Sequence, residues 1–219
     1  MKDHEIKHTR ALCPSHPDIK PIVFDLMDEI IDAFRTDALH VGLDEVIEFG
    51  KCERCKDKPK DQLLADWANA LADHVKKSHN AQVLMWGDRM LNAETTYGNA
   101  YESNAGSYDS VINLINKDNL ICDWHYDEGR VEYPSVDVFA NNGYKMLICP
   151  RLRNNCENFI NYAKEHDRGH IEGVLLTTWD DCGQIAGHML RDPDDYTGRR
   201  YRETLYKEEA QTIEWFFQK

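Results

Sequence analysis

Apolar and polar positions along the chain follow two periods, and the alternation between them predicts strands followed by helices. Before the first strand, apolar side chains recur at helical spacing from Ile22 to Phe34, after a segment where Ser15 can cap a helix and Pro17 suits a first turn. Short β-rich runs predict strands at 38–43, 82–87, 120–125, 145–149 and 173–179. Helical spacing predicts helices at 62–77, 107–116, 135–142, 155–166 and 182–190, and a closing helix at 202–217. Each strand precedes a helix, which is typical of parallel units in an α/β fold.

The composition fits a single globular domain and narrows the possible partners. The chain has 219 residues, 42% of them hydrophobic, and its 26 Lys and Arg against 39 Asp and Glu give a net charge of -13. An acidic chain without a basic stripe argues against a nucleic-acid partner. No apolar run approaches the roughly 18 residues of a membrane span, and the first residues lack the apolar core of a signal peptide. We therefore expect no membrane partner.

The cysteines bear on the compartment and on a metal site. Seven cysteines is an odd number, so full disulfide pairing within one molecule is impossible, and a reducing compartment is the default. The expected location is thus cytoplasmic, or exported if an N-terminal segment is missing. Cys52 and Cys55 form a Cys-x-x-Cys pair, which is half of a zinc site. Since Cys13 alone does not complete four ligands, we favour an ordinary loop over a metal or a local disulfide.

Acidic and aromatic residues collect where the predicted strands end. The clusters are His40-Val-Gly-Leu-Asp44-Glu45, Trp86-Gly87-Asp88, Asp123-Trp124-His125-Tyr126 and Trp179-Asp180-Asp181. One such cluster is equally well explained as a charged loop above a buried strand. Repetition on successive strands favours a site, because the carboxyl ends of parallel strands form one rim.

The residue types at this rim suit a sugar. Aromatic faces stack on the apolar faces of a pyranose, and carboxylates bind its hydroxyls or exchange a proton with the glycosidic oxygen. The adjacent acids Asp44 and Glu45 are the strongest feature. Two neighbouring carboxylates repel each other, so one can carry a proton while the other remains an anion. A nucleotide site would need a glycine-rich phosphate loop, and the sequence contains neither GxGxxG nor a P-loop.

These clusters resemble the motifs of the family 20 glycoside hydrolases, the β-N-acetylhexosaminidases. The family's His-x-Gly-Gly-Asp-Glu stands here as His40 to Glu45, with Leu43 in place of the second glycine, and its Trp-x-Glu stands as Trp179-Asp180-Asp181. The resemblance covers about residues 12–190. It implies a TIM (β/α)8 barrel in which 38–43 is the fourth strand, so the strands found are the fourth to the eighth of an incomplete barrel. Residues 1–219 then form one catalytic domain, with a helix in 1–37, βα units in 38–190 and a closing helix in 191–219.

The resemblance also implies a reaction and the residues that perform it. The substrate is a glycan with a terminal N-acetylhexosamine, hydrolysed with retention through its own 2-acetamido group, without cofactor or metal. Glu45 is the expected acid and base, and Asp44 orients the acetamido group. The remaining substrate-binding residues are Tyr126 on the acetamido oxygen, Trp86, Trp124 and Trp179 as walls, Asp88 and Asp181 as polar contacts, and His40, which is equally a core or supporting residue.

Several alternatives stay open. Trp124 and Trp179 are also explained as core aromatics, and Asp88 as a cap of the segment that follows it. No residue upstream of Asp44 matches the arginine with which the family holds sugar hydroxyls, which favours a non-catalytic carbohydrate-binding protein. A barrel glycosidase with two catalytic carboxylates is a further alternative. Five strands of an open barrel expose sheet edges, so self-association through the open edge is expected.

Overall fold

The computed structural model describes residues 11–104, 110–190 and 200–218. Its centre is one parallel sheet of five strands, in which each strand pairs with the next along the chain in the order β1-β2-β3-β4-β5. The strands are β1 (Ala38–His40), β2 (Gln82–Trp86), β3 (Leu120–Trp124), β4 (Met146–Cys149) and β5 (Ile171–Val174). Parallel strands in sequential order are compatible with part of a β/α barrel.

Helices connect and flank these strands. They are α1 (Ile19–Phe34), α2 (Lys60–His79), α3 (Val111–Leu114), α4 (Pro134–Asn141), α5 (Arg153–His166), α6 (Cys182–Leu190) and α7 (Arg200–Phe217), and a short 3-10 turn, Asp88–Met90, follows β2. In the described part of the chain, no helix is both long and apolar enough to cross a membrane.

The main core lies between the sheet and the helices. Residues of α2, α3, α4 and α5 pack on strand residues such as Met85, Ile121 and Ile148, and α1 packs with α2 on Leu39 and Val83. Because successive strand residues point to opposite faces, Trp86, Cys122 and Cys149 lie on the other face, where they form a separate cluster. Helices on one face and a distinct inner face are the layers expected of β/α units.

Helix α1 buries less of its apolar surface than its spacing predicts. Ile19, Met27 and Ile31 are buried against the core. A second apolar row is exposed, and it consists of Ile22 (37%), Leu26 (54%), Ile30 (36%) and Phe34 (79%). No described residue covers this row, which leaves an apolar face on the surface.

The structure changes several predicted boundaries. The helix predicted after Ser15 begins only at Ile19, and the Ser15 side chain does not cap it but bonds to Cys55 and Lys58. Strand β1 ends three residues early, and β5 covers Ile171–Val174 in place of 173–179. The backbone of this last strand continues to pair beyond its end, because Leu175 and Thr177 donate to the carbonyls of Ile148 and Pro150. Helix α3 has four residues, and part of the predicted 107–116 helix lies outside the described residues.

Candidate active site

A small cavity opens at the carboxyl ends of the strands. Its volume is about 270 Å³, and it is lined by Asp44, Glu45, Trp124, Tyr126, Arg151 and Trp179. Trp124 is the last residue of β3, and the other five residues follow β1, β3, β4 and β5, so the ends of four strands contribute to one space. A larger cavity of about 690 Å³ lies at the opposite ends of the strands, near Gln82 and Lys145. We treat the smaller one as the candidate site, because parallel β/α folds place their active sites at the carboxyl ends of the strands.

The backbone after β1 turns through an unusual conformation that presents the acid pair. Gly42, Leu43 and Glu45 have φ angles of 78°, 82° and 47°, which is the left-handed region. Such angles suit glycine and are unfavourable for residues with a Cβ. Asp44 is left half-buried and Glu45 exposed, both at the cavity. The turn therefore places two adjacent carboxylates on one site.

Asp88 fixes this turn from behind. Its side chain is buried, and its Oδ2 accepts a hydrogen bond from the backbone N–H of Glu45 at 3.0 Å and from Arg89 Nε at 2.6 Å. Its Oδ1 accepts from Trp124 Nε1 at 3.3 Å. Burial raises the pKa of the Asp88 carboxyl, although the charge of Arg89 opposes the shift. Asp88 does not line the cavity, where a direct sugar contact was expected, and instead joins the acid turn to an aromatic wall.

The aromatic residues form a connected wall. Trp179 Nε1 donates to the Tyr126 hydroxyl at 2.7 Å, and the ring centroids of Trp124 and Tyr126 are 5.0 Å apart. Trp86 lies beneath, 5.7 Å from Trp179 between centroids. Trp179 is 53% exposed, so it is not a core aromatic. Burial raises the pKa of the Tyr126 phenol.

Two other predicted site residues lie outside the cavity lining. His40 Nδ1 accepts a hydrogen bond from the backbone N–H of Gly42 at 3.0 Å, and its ring packs on Trp86 with centroids 4.4 Å apart. Asp181 Oδ1 accepts from the backbone N–H groups of Gly183 and Gln184 at 2.8 and 3.1 Å. His40 thus supports the turn before the acids, and Asp181 caps the start of α6.

Arg151 is a cavity residue that the sequence analysis missed. It follows β4, and its Nη2 donates to Asp180 Oδ2 at 2.5 Å while its Nε donates to Glu209 Oε1 at 2.7 Å. Glu209 comes from α7, where its side chain is 0% exposed, and burial raises the pKa of its carboxyl. A search for basic residues directly after the predicted strands would have identified Arg151. Glu209 carried no such signal.

A buried charge network supports β3 from the helix side. His125 lies between Asp123 Oδ1, at 2.9 Å, and Glu102 Oε1, at 3.0 Å, and Arg130 Nη2 donates to Glu102 Oε2 at 2.9 Å. Ser135 Oγ donates to Asp123 Oδ2 at 2.6 Å. Burial acts to raise the pKa of Glu102, but hydrogen bonds from His125 and Arg130 outweigh it and lower the pKa to about 2. The pKa of His125 is raised, because the Asp123 and Glu102 carboxylates outweigh its burial. Asp123 and His125 therefore belong to the scaffold and not to the cavity lining.

Comparisons with known proteins identify the family. The family model described as glycosyl hydrolase family 20, catalytic domain, matches residues 1–181. A search of curated proteins finds no match. The matched range contains β1 to β5 and, with the exception of Glu209, the cavity residues and their immediate partners described above. The chain belongs to glycosyl hydrolase family 20, and residues 1–181 are part of its catalytic region.

Proposed function

We propose that the protein removes β-linked N-acetylhexosamine, GlcNAc or GalNAc, from glycans by a retaining, substrate-assisted mechanism. Family membership supports the broader statement, a glycosidase that acts on N-acetylhexosamine from a carbohydrate substrate. The observation that carries the finer proposal is the cavity in which Asp44 and Glu45 face three aromatic side chains. This combination suits a sugar bound by its apolar faces beside two acids.

In the proposed first step, Glu45 is the general acid. The 2-acetamido oxygen of the substrate attacks the anomeric carbon, the glycosidic bond breaks, and the leaving oxygen takes the proton of Glu45. In the second step, the Glu45 carboxylate takes a proton from water while the water oxygen attacks the anomeric carbon. The bond between that carbon and the acetamido oxygen breaks, which opens the oxazolinium ring and restores the acetamido group. The exposure of Glu45 at the cavity supports this role, because both the leaving group and water must reach it.

Asp44 and Tyr126 act on the acetamido group in this proposal. The Asp44 carboxylate accepts the acetamido N–H and stabilises the positive charge of the oxazolinium ring. Tyr126, whose phenol stays protonated, donates to the acetamido oxygen. Trp124 and Trp179 form the walls against the pyranose. Arg151, fixed by Asp180 and Glu209, offers its remaining N–H groups to sugar hydroxyls.

We also propose that β1 to β5 are the fourth to eighth strands of an eight-stranded barrel. The sequential parallel order and the helices on one face support it. In the described sheet, β1 and β5 each pair with one neighbour, and such edges favour association. Self-association through an edge is expected to appear as a concentration-dependent mass in sedimentation velocity.

The central test is release of nitrophenol from its N-acetyl-β-glucosaminide. Glu45→Gln is expected to lower kcat by about 100- to 10,000-fold with the unfolding midpoint nearly unchanged, since one positioned acid and base contributes that much. Glu48→Gln is the matched control, because Glu48 lies on the same loop but pairs with Lys51. Near wild-type turnover by Glu45→Gln would remove it from the mechanism.

Asp44→Asn tests the substrate-assisted step. The loss of kcat/KM is expected to be larger for the N-acetylglucosaminide than for the plain glucoside, because only the former carries the acetamido group. Equal losses on both substrates would contradict the role of Asp44. Binding of N-acetylglucosamine by wild-type protein without turnover would indicate a carbohydrate-binding protein. A trapped covalent glycosyl-enzyme would indicate the two-carboxylate mechanism, whereas inhibition by a thiazoline mimic supports the proposal.

A further inference from the structure

Three cysteine sulfurs converge outside the cavity. Cys13 precedes α1, whereas Cys52 and Cys55 lie on the loop between β1 and α2. The Sγ atom of Cys13 is 3.3 Å from that of Cys52 and 3.7 Å from that of Cys55, and all three sulfurs lie within 4.8 Å of one another. The sequence analysis disfavoured a metal here because Cys13 alone does not complete four ligands, and the structure brings Cys13 to the pair although 39 residues separate it from Cys52.

We propose that Cys13, Cys52 and Cys55 bind one Zn²⁺ ion as thiolates. Tetrahedral zinc with Zn–S bonds of about 2.3 Å requires sulfurs about 3.8 Å apart. The observed separations are near that value. They are far from the roughly 2.05 Å of a disulfide bond.

Tight turns direct the sulfurs toward one point. The backbone N–H groups of Cys55 and Lys56 both donate to the Cys52 carbonyl, at 2.9 and 2.8 Å, which brings the two cysteines of the Cys-x-x-Cys pair to one side. The His16 N–H donates to the Cys13 carbonyl at 3.0 Å in a similar turn. A Cys-x-x-Cys turn is the usual half of a structural zinc site, and Cys13 adds a third ligand from a distant segment.

Three cysteines leave one position of a tetrahedral zinc site for another ligand. Among the described residues, the group of nearby His, Cys, Asp and Glu ligands contains these three cysteines only. Ser15 Oγ lies 3.3 Å from Cys55 Sγ, so a hydroxyl or a solvent oxygen can complete a tetrahedron.

The local charge suits a thiolate centre. Three thiolates and Zn²⁺ leave one negative charge, and residues 51–60 contain five Lys and Arg against two Asp and Glu in a chain of net charge -13. Lys58 Nζ donates to Ser15 Oγ at 2.8 Å, and Cys55 Sγ contacts the same oxygen at 3.3 Å, so Ser15 links one of these cations to Cys55. Each thiol proton passes to solvent as the ion binds.

The ion would connect the start of α1 to the loop that carries the acid pair. That loop, residues 41–59, contains neither helix nor strand. A metal bond across 39 residues restricts the unfolded chain and fixes the loop in the folded one. The proposed role is therefore structural.

The first test measures zinc in protein purified under reducing conditions without a chelator, after growth with added zinc chloride. We expect about one zinc per chain in wild type and in the control Cys182→Ser, whose exposed thiol lies outside the cluster. The zinc content of Cys52→Ser and Cys55→Ser is expected to be at least about tenfold lower. Wild type without zinc, or equal zinc in all variants, would overturn the proposal.

A second test uses wild-type protein alone, because substitution of the buried Cys55 can unfold the chain. Chelator-treated protein is titrated with Co²⁺, and a thiolate site is expected to give sulfur-to-cobalt charge-transfer absorption that Zn²⁺ abolishes. The melting temperature is expected to fall on chelation and to recover with zinc. Only the weak spectrum of hydrated Co²⁺, or a disulfide between these cysteines that forms in the presence of zinc, would overturn the assignment.

Discussion

Replacing Leu43 tests whether the turn before the acid pair is strained. Leu43 has a φ of 82°, and a left-handed backbone costs a residue with a Cβ roughly 1–2 kcal/mol. Glycine avoids that cost but loses about 0.4–1 kcal/mol through the greater freedom of the unfolded chain. Leu43→Gly and Leu43→Ala both remove the same partly buried contacts with the two large core clusters. The difference between them therefore isolates the backbone.

Leu43→Gly is expected to be more stable than Leu43→Ala by roughly 1 kcal/mol. This value lies near the middle of the range obtained when the entropic cost of glycine is subtracted from the cost of the left-handed backbone. Val41 provides the matched control, because it is partly buried against the same two clusters and is not among the residues with positive φ. There the usual order is expected, with Val41→Gly less stable than Val41→Ala by about 0.5–1 kcal/mol.

The assay is urea unfolding of the four variants, with free energies compared at equal slope. The strain argument would be refuted if Leu43→Gly were less stable than Leu43→Ala by the same free energy that separates Val41→Gly from Val41→Ala. This result would mean that the turn relaxes when its side chain is shortened.

Two further predictions concern the scaffold of the site. Gly87→Ala is expected to lower the unfolding free energy by about 1–3 kcal/mol, because an added Cβ would lie 2.6 Å from Ile121 and Phe139 atoms. Gly129→Ala, whose Cβ meets only Asp127 Oδ1 at 3.4 Å, is the control, and equal melting temperatures for the two would contradict the packing argument. Glu102→Gln tests the buried charge network around His125. The pKa of Glu102 is about 2 in the folded protein, which lies below its unfolded value of about 4.3. The negative charge of Glu102 therefore stabilises the fold above about pH 4.3, and this contribution disappears as the pH falls toward 2. The variant is expected to be less stable at neutral pH by at most about 3 kcal/mol and to lose less stability between pH 4.3 and 2, and an unchanged acid-unfolding curve would contradict the assignment.

The elements with a strong local period were the most predictable. Helix α6 has the predicted limits, and α5 begins two residues earlier than the predicted 155–166. The period reports which side chains are buried, and burial is what holds these helices to the sheet. It does not report where a strand ends, so the left-handed turn after β1 and the early end of β5 went unseen.

The candidate site was likewise predictable only in part. Residues at strand ends, such as Glu45 and Tyr126, could be placed near one another because parallel strands share a rim. The local spacing of residues did not predict the contacts between distant segments. Cys13 reaches Cys52, and Asp88 bonds the backbone of Glu45 across 43 residues. Such pairs depend on how the helices and strands pack together. A short stretch of the sequence does not show this packing.

The ion pair between Arg151 and Glu209 has a consequence for where the catalytic unit ends. The family match stops at residue 181, yet Glu209 lies on α7 and its buried carboxylate holds a guanidinium at the cavity. Cutting the chain at 181 would leave Arg151 with Asp180 alone and would open a previously covered surface beside the site. The boundary of the recognisable sequence is therefore not the boundary of the folded unit, and α7 must accompany residues 1–181 in any transplanted or shortened version.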